Sequence, residues 1–287
     1  MLWVALTLGS AFLLSLRDIG SKRIVKNRED SFKLVFVEAF VGLLVTLFVF
    51  NYSIQFQQFF NYSFLFLLKG VTATAAMLFF LKLIEDHEIS SVAPLMNLSP
   101  AILLILSILV LSETLSILQI AGIFVIIIGT IVFESAVHKG HVHKDHAKHF
   151  FEKDTRFFVY VLLMLLALSG NGIIDKYMLS QGVSVQTQLF YTFFFITLFV
   201  PIFAYKHIKH ALTYDRIGVS IFGIVSTYLV LFAIAMPSTL ISLVVPLRRT
   251  STFMTAIFGG VLLHESHMKL KILSILIMLT GVLLLVM

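Results

Sequence analysis

Apolar runs of about twenty residues recur along the whole chain and constrain its fold more than any other feature. A helix needs about 20 apolar residues to cross a hydrocarbon core of about 30 Å. Because backbone polar groups find no water in that core, only helices and closed barrels span a bilayer, and runs of this length favour helices. Charged residues make up 13% of the chain, against about 25% in soluble domains. The sequence therefore predicts an integral multi-pass protein of the lipid bilayer.

Polar breaks divide these runs into ten predicted membrane spans. The spans cover residues 2–21, 32–50, 62–84, 89–111, 115–133, 157–179, 185–205, 217–235, 239–263 and 268–287. A histidine-rich hydrophilic linker at 135–156 separates two sets of five. The predicted fold class is all-α, with one five-helix unit at 1–134 and another at 157–287.

The two sets of five resemble each other. Both contain a Pro, a Glu nineteen residues later and a Gly thirty-five residues after the Pro, at Pro94, Glu113 and Gly129 and again at Pro246, Glu265 and Gly281. Because five is an odd number, the second copy enters the membrane inverted relative to the first. Inverted repeats are common in secondary transporters, which bind substrate near the membrane midplane between the repeats. The sequence thus predicts two inverted five-helix repeats.

Lys and Arg are concentrated in the connections that follow the odd-numbered helices, with Arg17 counted in the first of them. By the positive-inside rule these connections are cytoplasmic, which places both termini outside. The net charge of +6 is assigned to these loops, so no nucleic-acid partner is expected.

The fourth and fifth helices of each half carry the motifs of a known family. A Pro-bearing helix is followed by a Glu-containing turn, "LSET" at 111–114 and "LHES" at 263–266, and then by a helix with spaced glycines. This pattern resembles the drug/metabolite transporter superfamily, specifically its EamA-like branch. The resemblance implies a ten-helix permease of the bacterial cytoplasmic (inner) membrane, acting as a monomer or homodimer. It also implies cytoplasmic termini, the reverse of the charge pattern.

Arg248 and Arg249 lie in the middle of the ninth predicted span. A central arginine costs about 2.5–3.5 kcal/mol on insertion scales, so the pair needs a role. The planar guanidinium suits a carboxylate or phosphate, and Pro246 interrupts the backbone hydrogen bonding nearby. The sequence predicts that one or both arginines bind a substrate anion. A structural ion pair with Glu38 and a gating role are the alternatives.

Other polar side chains inside predicted spans are candidate cavity residues. Asn97 and Ser99 form a polar break between two prolines, which is tolerated in a membrane only beside protein or a water-filled cavity. Lys69 and Asn171 are further candidates for the substrate site. Tyr228 and its neighbour Thr227 are included on the resemblance alone.

Two sets of charged residues leave alternatives open. Asp175 and Lys176, near the end of the sixth span, are either cavity residues or interfacial anchors. Glu113 and Glu265 are expected to complement the N-terminal dipole of the helix that each one precedes, and a site for a transported proton is the alternative.

These observations predict a secondary active transporter that moves a small anionic or zwitterionic metabolite by alternating access. Amino acids, organic acids and phosphorylated compounds fit, and a carboxylate such as Glu38 is a candidate for coupling to a proton or another ion. No nucleotide-binding loop or catalytic motif is present, so neither an enzyme nor a cofactor is expected. The alternative is a divalent-metal transporter whose linker histidines at 138–149 gather metal. No metal site is expected within the spans.

Overall fold

The computed structural model describes residues 2–86, 98–138, 155–237 and 239–251, with positions 254, 276–277, 280–281 and 283–284. Within these residues it has nine α-helices. They are α1 Leu2–Ile24, α2 Arg28–Val49, α3 Gln58–Asp86, α4 Ser99–Leu111, α5 Ile117–His138, α6 Thr155–Ser180, α7 Val185–Ala204, α8 Tyr214–Ala235 and α9 Ile241–Arg248. Short 3₁₀ turns at Asn51–Ser53 and Tyr205–His207 follow α2 and α7.

The described residues confirm the predicted helices and contain no strand. Six of them, α1, α2, α3, α6, α7 and α8, are long and apolar enough to cross a membrane, and α4 and α5 contain shorter apolar stretches at Ile102–Leu111 and Ile117–Gly129. Phe48, Phe60 and Leu109 are 75%, 83% and 73% exposed on the outside of the bundle, as lipid-facing side chains are. Most of the tenth predicted span lies outside the described residues.

Helices from the two halves of the chain pack against each other. The principal pairs are α1 with α8, α3 with α6 and α2 with α7. In addition, α4 packs on α6, and α9 packs on α1. Small residues permit close approach: a Cβ on Gly42 would lie 2.7 Å from the Phe193 ring. Ser10 and Ser226 each donate a hydroxyl hydrogen bond to the other's carbonyl at 2.8 Å, which joins α1 to α8.

Hydrogen bonds tie the interhelical connections together at two ends of the bundle. After α2, the Gln55 N–H donates to Thr187 Oγ1 at 2.8 Å at the start of α7. At the starts of α8 and α2, Arg216 Nη2 donates to Asp30 Oδ1 at 2.9 Å, which links the connection after α7 to the connection after α1. The connections after α2 and α6 therefore meet, as do those after α1 and α7, in agreement with the predicted alternation. Arg17, assigned from sequence to the first connection, lies within α1.

Candidate functional site

A cavity of about 200 Å³ lies among α3, α4, α6, α7, α8 and α9. Five of the eight predicted site residues line it: Lys69, Ser99, Asn171, Arg248 and Arg249. Its other polar lining residues are Ser169, Asp175, Thr192 and Thr227. Residues from both halves of the chain thus form one polar site inside an apolar bundle.

The two arginines are held differently although they are adjacent at the end of α9. Arg249 Nη2 donates to Ser99 Oγ at 2.7 Å, and the Ser99 carbonyl accepts from Ser169 Oγ at 3.1 Å. Arg248 Nη2 reaches Ser226 Oγ at 3.4 Å, a long contact. Its Nε is buried and has no hydrogen-bond partner among the described residues. Arg249 is therefore fixed to α4, whereas Arg248 keeps a donor that is not satisfied by the described chain.

Lys69 and Asp175 form an ion pair between α3 and α6 in the wall of the cavity. The Lys69 side chain is 3% exposed and the Asp175 side chain 16%. Gln188 Nε2 of α7 donates to Asp175 Oδ1 at 2.7 Å. Lys69, predicted from sequence, therefore lines the cavity together with a carboxylate. Asn171, one helical turn before Asp175, keeps a buried Oδ1 without a partner in the described ranges.

Glu38 lies outside the cavity and engages Arg17. Its Oε2 accepts from Arg17 Nε at 3.1 Å and Nη2 at 2.8 Å, and Arg17 also contacts Asp18 at 3.2 Å. Glu38, the expected ion-pair partner of Arg248 and Arg249, is thus hydrogen-bonded to Arg17 of α1 instead. Asp18 and Glu38 still act on Arg248 electrostatically. Sequence could not predict this pairing, because the charge pattern assigns Arg17 to a connection.

Tyr228, another predicted site residue, is not brought to the cavity. Tyr228 points to α2, where its hydroxyl and Thr46 Oγ1 are 2.8 Å apart, and its ring packs on Phe50. Thr227, the adjacent residue, lines the cavity instead. Asn97 lies outside the described residues.

Glu113 caps a helix of the other half of the chain. Its carboxylate accepts from the Ile241 N–H at 2.7 Å, from the Ser242 N–H at 3.3 Å and from Ser242 Oγ. The expectation that Glu113 serves the helix directly after it is therefore wrong, because its hydrogen bonds go to α9. Lys176 Nζ donates to the Ile234 carbonyl at 3.0 Å and to the Thr239 carbonyl at 2.5 Å, so it holds the segment before α9. Glu265 lies outside the described residues.

The sequence leaves Asp175 undecided between cavity and interface, and no sequence pattern singles out Thr192 or Ser169. A signal was present for α6, since Asn171 and Asp175 are spaced by one helical turn and Gly172 lies beside them on the same face. For Thr192 the apolar α7 sequence gave no comparable signal.

The metal-transport alternative finds no site in the described ranges. There, no group of three His, Asp or Glu side chains is close enough to hold a metal ion. The linker segment 139–149, which contains four of the five histidines considered, lies outside the described residues, so that alternative stays a prediction.

Comparison with known proteins gives a family and a fold. Residues 1–134 and 156–287 match the EamA-like transporter family. One solved structure, titled only as the crystal structure of a protein, superposes with a TM-score of 0.73 and 11% sequence identity, covering 98% of this chain and 95% of that chain. At this identity the likeness shows a shared fold. Among curated proteins, none matches the sequence.

Proposed function

Because the chain belongs to the EamA-like transporter family, we propose that it is a secondary active transporter of a small anionic or zwitterionic metabolite, working by alternating access. The cavity that Arg248 and Arg249 line is the proposed substrate site. The observation that carries the proposal is the charge of the cavity: among the described residues, three cationic side chains and one carboxylate line it.

The hydrogen-bonding groups of the cavity support a polar substrate. Arg248 Nε is a buried donor and Asn171 Oδ1 a buried acceptor, each without a partner in the described part of the chain. Leaving a buried polar group unsatisfied costs about 1–3 kcal/mol. A ligand with both an anionic oxygen and a hydrogen-bond donor would satisfy both groups.

The volume of the cavity supports a small substrate. About 200 Å³ is below the roughly 300–1,000 Å³ of sites for drug-sized ligands. Amino acids, short organic acids and small phosphorylated compounds are the proposed classes. In this account Arg249, already fixed by Ser99, orients one anionic oxygen, and Arg248 supplies its free Nε–H.

The helix packing supports inverted repeats and alternating access. In the predicted repeats, α1 corresponds to α6, α3 to α8 and α4 to α9. The α1–α8 contact then corresponds to the α6–α3 contact, and the α4–α6 contact to the α9–α1 contact. All four helix pairs pack against each other. The polar contacts behave in the same way: Arg17–Glu38 joins α1 to α2, and the Asp175–Gln188 bond joins α6 to α7. Two related packings of one scaffold are what alternating access about a central site requires.

The location in a bacterial cytoplasmic membrane is proposed on the resemblance of the sequence alone. Membrane insertion itself follows from the apolar helices and the family.

Ligand-induced stabilisation of the purified protein in detergent tests the substrate site. The probes are L-glutamate, succinate, glycerol 3-phosphate and inorganic phosphate. A ligand that binds only the folded state at a hundred times its Kd stabilises it by about 2.7 kcal/mol. We expect at least one probe to raise the unfolding temperature of the wild type, and Arg249→Gln to lose that increase.

Two further variants make the comparison specific. Arg249→Lys keeps the charge but loses the planar fork, so it retains part of the increase. Lys209→Gln removes an exposed cation and leaves the increase unchanged. Equal stabilisation of wild type and Arg249→Gln by every probe that binds would remove Arg249 from the substrate site.

A further inference from the structure

Asp175 is the one carboxylate among the residues that line the described cavity. It forms an ion pair with Lys69 of α3 and lines the cavity together with Arg248 of α9. A buried ion pair is a poor source of stability, because the desolvation of both charges offsets their attraction.

The Lys69–Asp175 pair links the protonation of Asp175 to the binding of an anion. A proton on Asp175 removes the only negative charge that the described lining residues hold against three cations. An anionic substrate replaces that charge, so the proton and the anion each make the other's binding more favourable. Thermodynamic linkage makes this coupling reciprocal.

We propose that Asp175 carries a proton that is transported together with the substrate anion, so that the protein is a proton–anion symporter. The proposal rests on the transport function proposed above. In the cycle, the Asp175 carboxylate takes a proton from water on one side, the anion binds beside Lys69 and the arginines, and both are released on the other side.

Asp175 is the acidic group among the described residues of this site. Lys69 forms an ion pair with it, Arg248 lines the same cavity, and α7 contributes the neutral amide of Gln188. From α4 and α8 the lining residues are Ser99, Thr227 and apolar side chains. Lys176, the next residue in α6, is turned away to the segment before α9.

Proteoliposomes containing wild type or Asp175→Asn separate coupling from transport. Two assays are run with L-glutamate, succinate, glycerol 3-phosphate and inorganic phosphate. Counterflow exchanges labelled for unlabelled anion at equal pH, whereas uphill uptake is driven by an inward proton gradient. We expect the wild type to perform both, and Asp175→Asn to keep counterflow but lose gradient-driven accumulation.

The pH dependence of binding gives a second reading. In the wild type, the Kd of the transported anion falls as pH falls, by up to about tenfold per pH unit for one linked proton. In Asp175→Asn that dependence shrinks to the part due to ionisation of the probe itself. Lys69→Arg keeps the positive charge without a group that titrates near neutral pH, so loss of the pH dependence in this variant would assign the linked proton to Lys69. Lys209→Gln, which removes an exposed cation, should keep the wild-type pH dependence.

A third measurement needs no ligand. Infrared difference spectra of the wild type between neutral and acidic pH should contain a protonated-carboxyl band that Asp175→Asn lacks. Retention of that band and of uphill uptake in Asp175→Asn would overturn the assignment. Loss of uphill uptake in Glu38→Gln alone would place the coupling proton at Glu38. Absence of counterflow in the wild type for all four anions counts against the transport function itself.

Discussion

The Glu113 carboxylate accepts a hydrogen bond from the Ile241 N–H at 2.7 Å and thereby joins the turn after α4 to the first residue of α9. The first N–H groups of a helix have no partner within the helix, and here the other half of the chain provides one. Because α9 ends with the cavity arginines, this contact sets where Arg248 and Arg249 lie. The Glu that recurs in both halves of the sequence therefore has a positioning role at Glu113.

Glu113→Ala should destabilise the protein. Removing the carboxylate leaves the N–H groups of Ile241 and Ser242 without their acceptor, which costs about 1–3 kcal/mol. Chemical unfolding in detergent measures the change. Thr114→Ala, at an exposed position of the same turn, is the control and should change stability by less than about 0.5 kcal/mol. Equal stability of the two variants would show that the cap contributes nothing.

Gly223→Ala tests the packing of α8 on the Arg17–Glu38 pair. A Cβ at Gly223 would lie 2.5 Å from Glu38 Oε1 and 3.3 Å from Arg17 Cγ. The ion pair must shift, so we expect a lower unfolding temperature. Gly218→Ala on the same helix meets nothing within 4 Å and should be neutral or stabilising, because alanine favours a helix over glycine by about 0.5–1 kcal/mol. A Gly223→Ala protein as stable as Gly218→Ala would show that this close approach does not contribute to stability.

Tyr228→Phe should separate stability from ligand binding. The phenol hydroxyl bonds to Thr46 and lies away from the cavity, so its loss should cost about 1 kcal/mol of stability and leave the Kd of any bound anion unchanged. Thr227→Leu, at the neighbouring position that lines the cavity, adds volume there and should weaken binding. A weaker Kd in Tyr228→Phe with no change in Thr227→Leu would reverse the assignment of these two positions.

The sequence predicted the helices well because each apolar run is long and bounded by polar residues, so α1, α2 and α8 begin or end within a few residues of the predicted spans. It also identified Lys69 and Arg249 as cavity residues, since a charge at membrane depth has few other places to lie. It could not predict how each helix is rotated about its axis. Tyr228 and Thr227 differ by about 100° around α8, and that rotation decides which one faces the cavity.

The sequence also could not predict which side chains pair with each other between helices. Glu38 was expected beside the α9 arginines, but Arg17 is closer because α1 and α2 place both side chains at the same depth. Asp175 lies five residues before the end of α6, about 7.5 Å along the helix axis. At this distance from the helix end, the sequence does not distinguish a residue that anchors the helix at the membrane interface from one that lines a cavity. Helix packing alone distinguishes them.

Counterflow in proteoliposomes tests whether the protein is a transporter that binds its substrate at Arg249, because counterflow requires binding and alternating access but no driving force. The measurement compares wild type, Arg249→Gln and Lys209→Gln with L-glutamate, succinate, glycerol 3-phosphate and inorganic phosphate. We expect counterflow of at least one anion by wild type and Lys209→Gln at equal rates. In Arg249→Gln we expect a loss of about tenfold or more at sub-saturating substrate, which corresponds to about 1.4 kcal/mol of lost binding. Counterflow in Arg249→Gln at the wild-type rate would contradict binding of the substrate at Arg249.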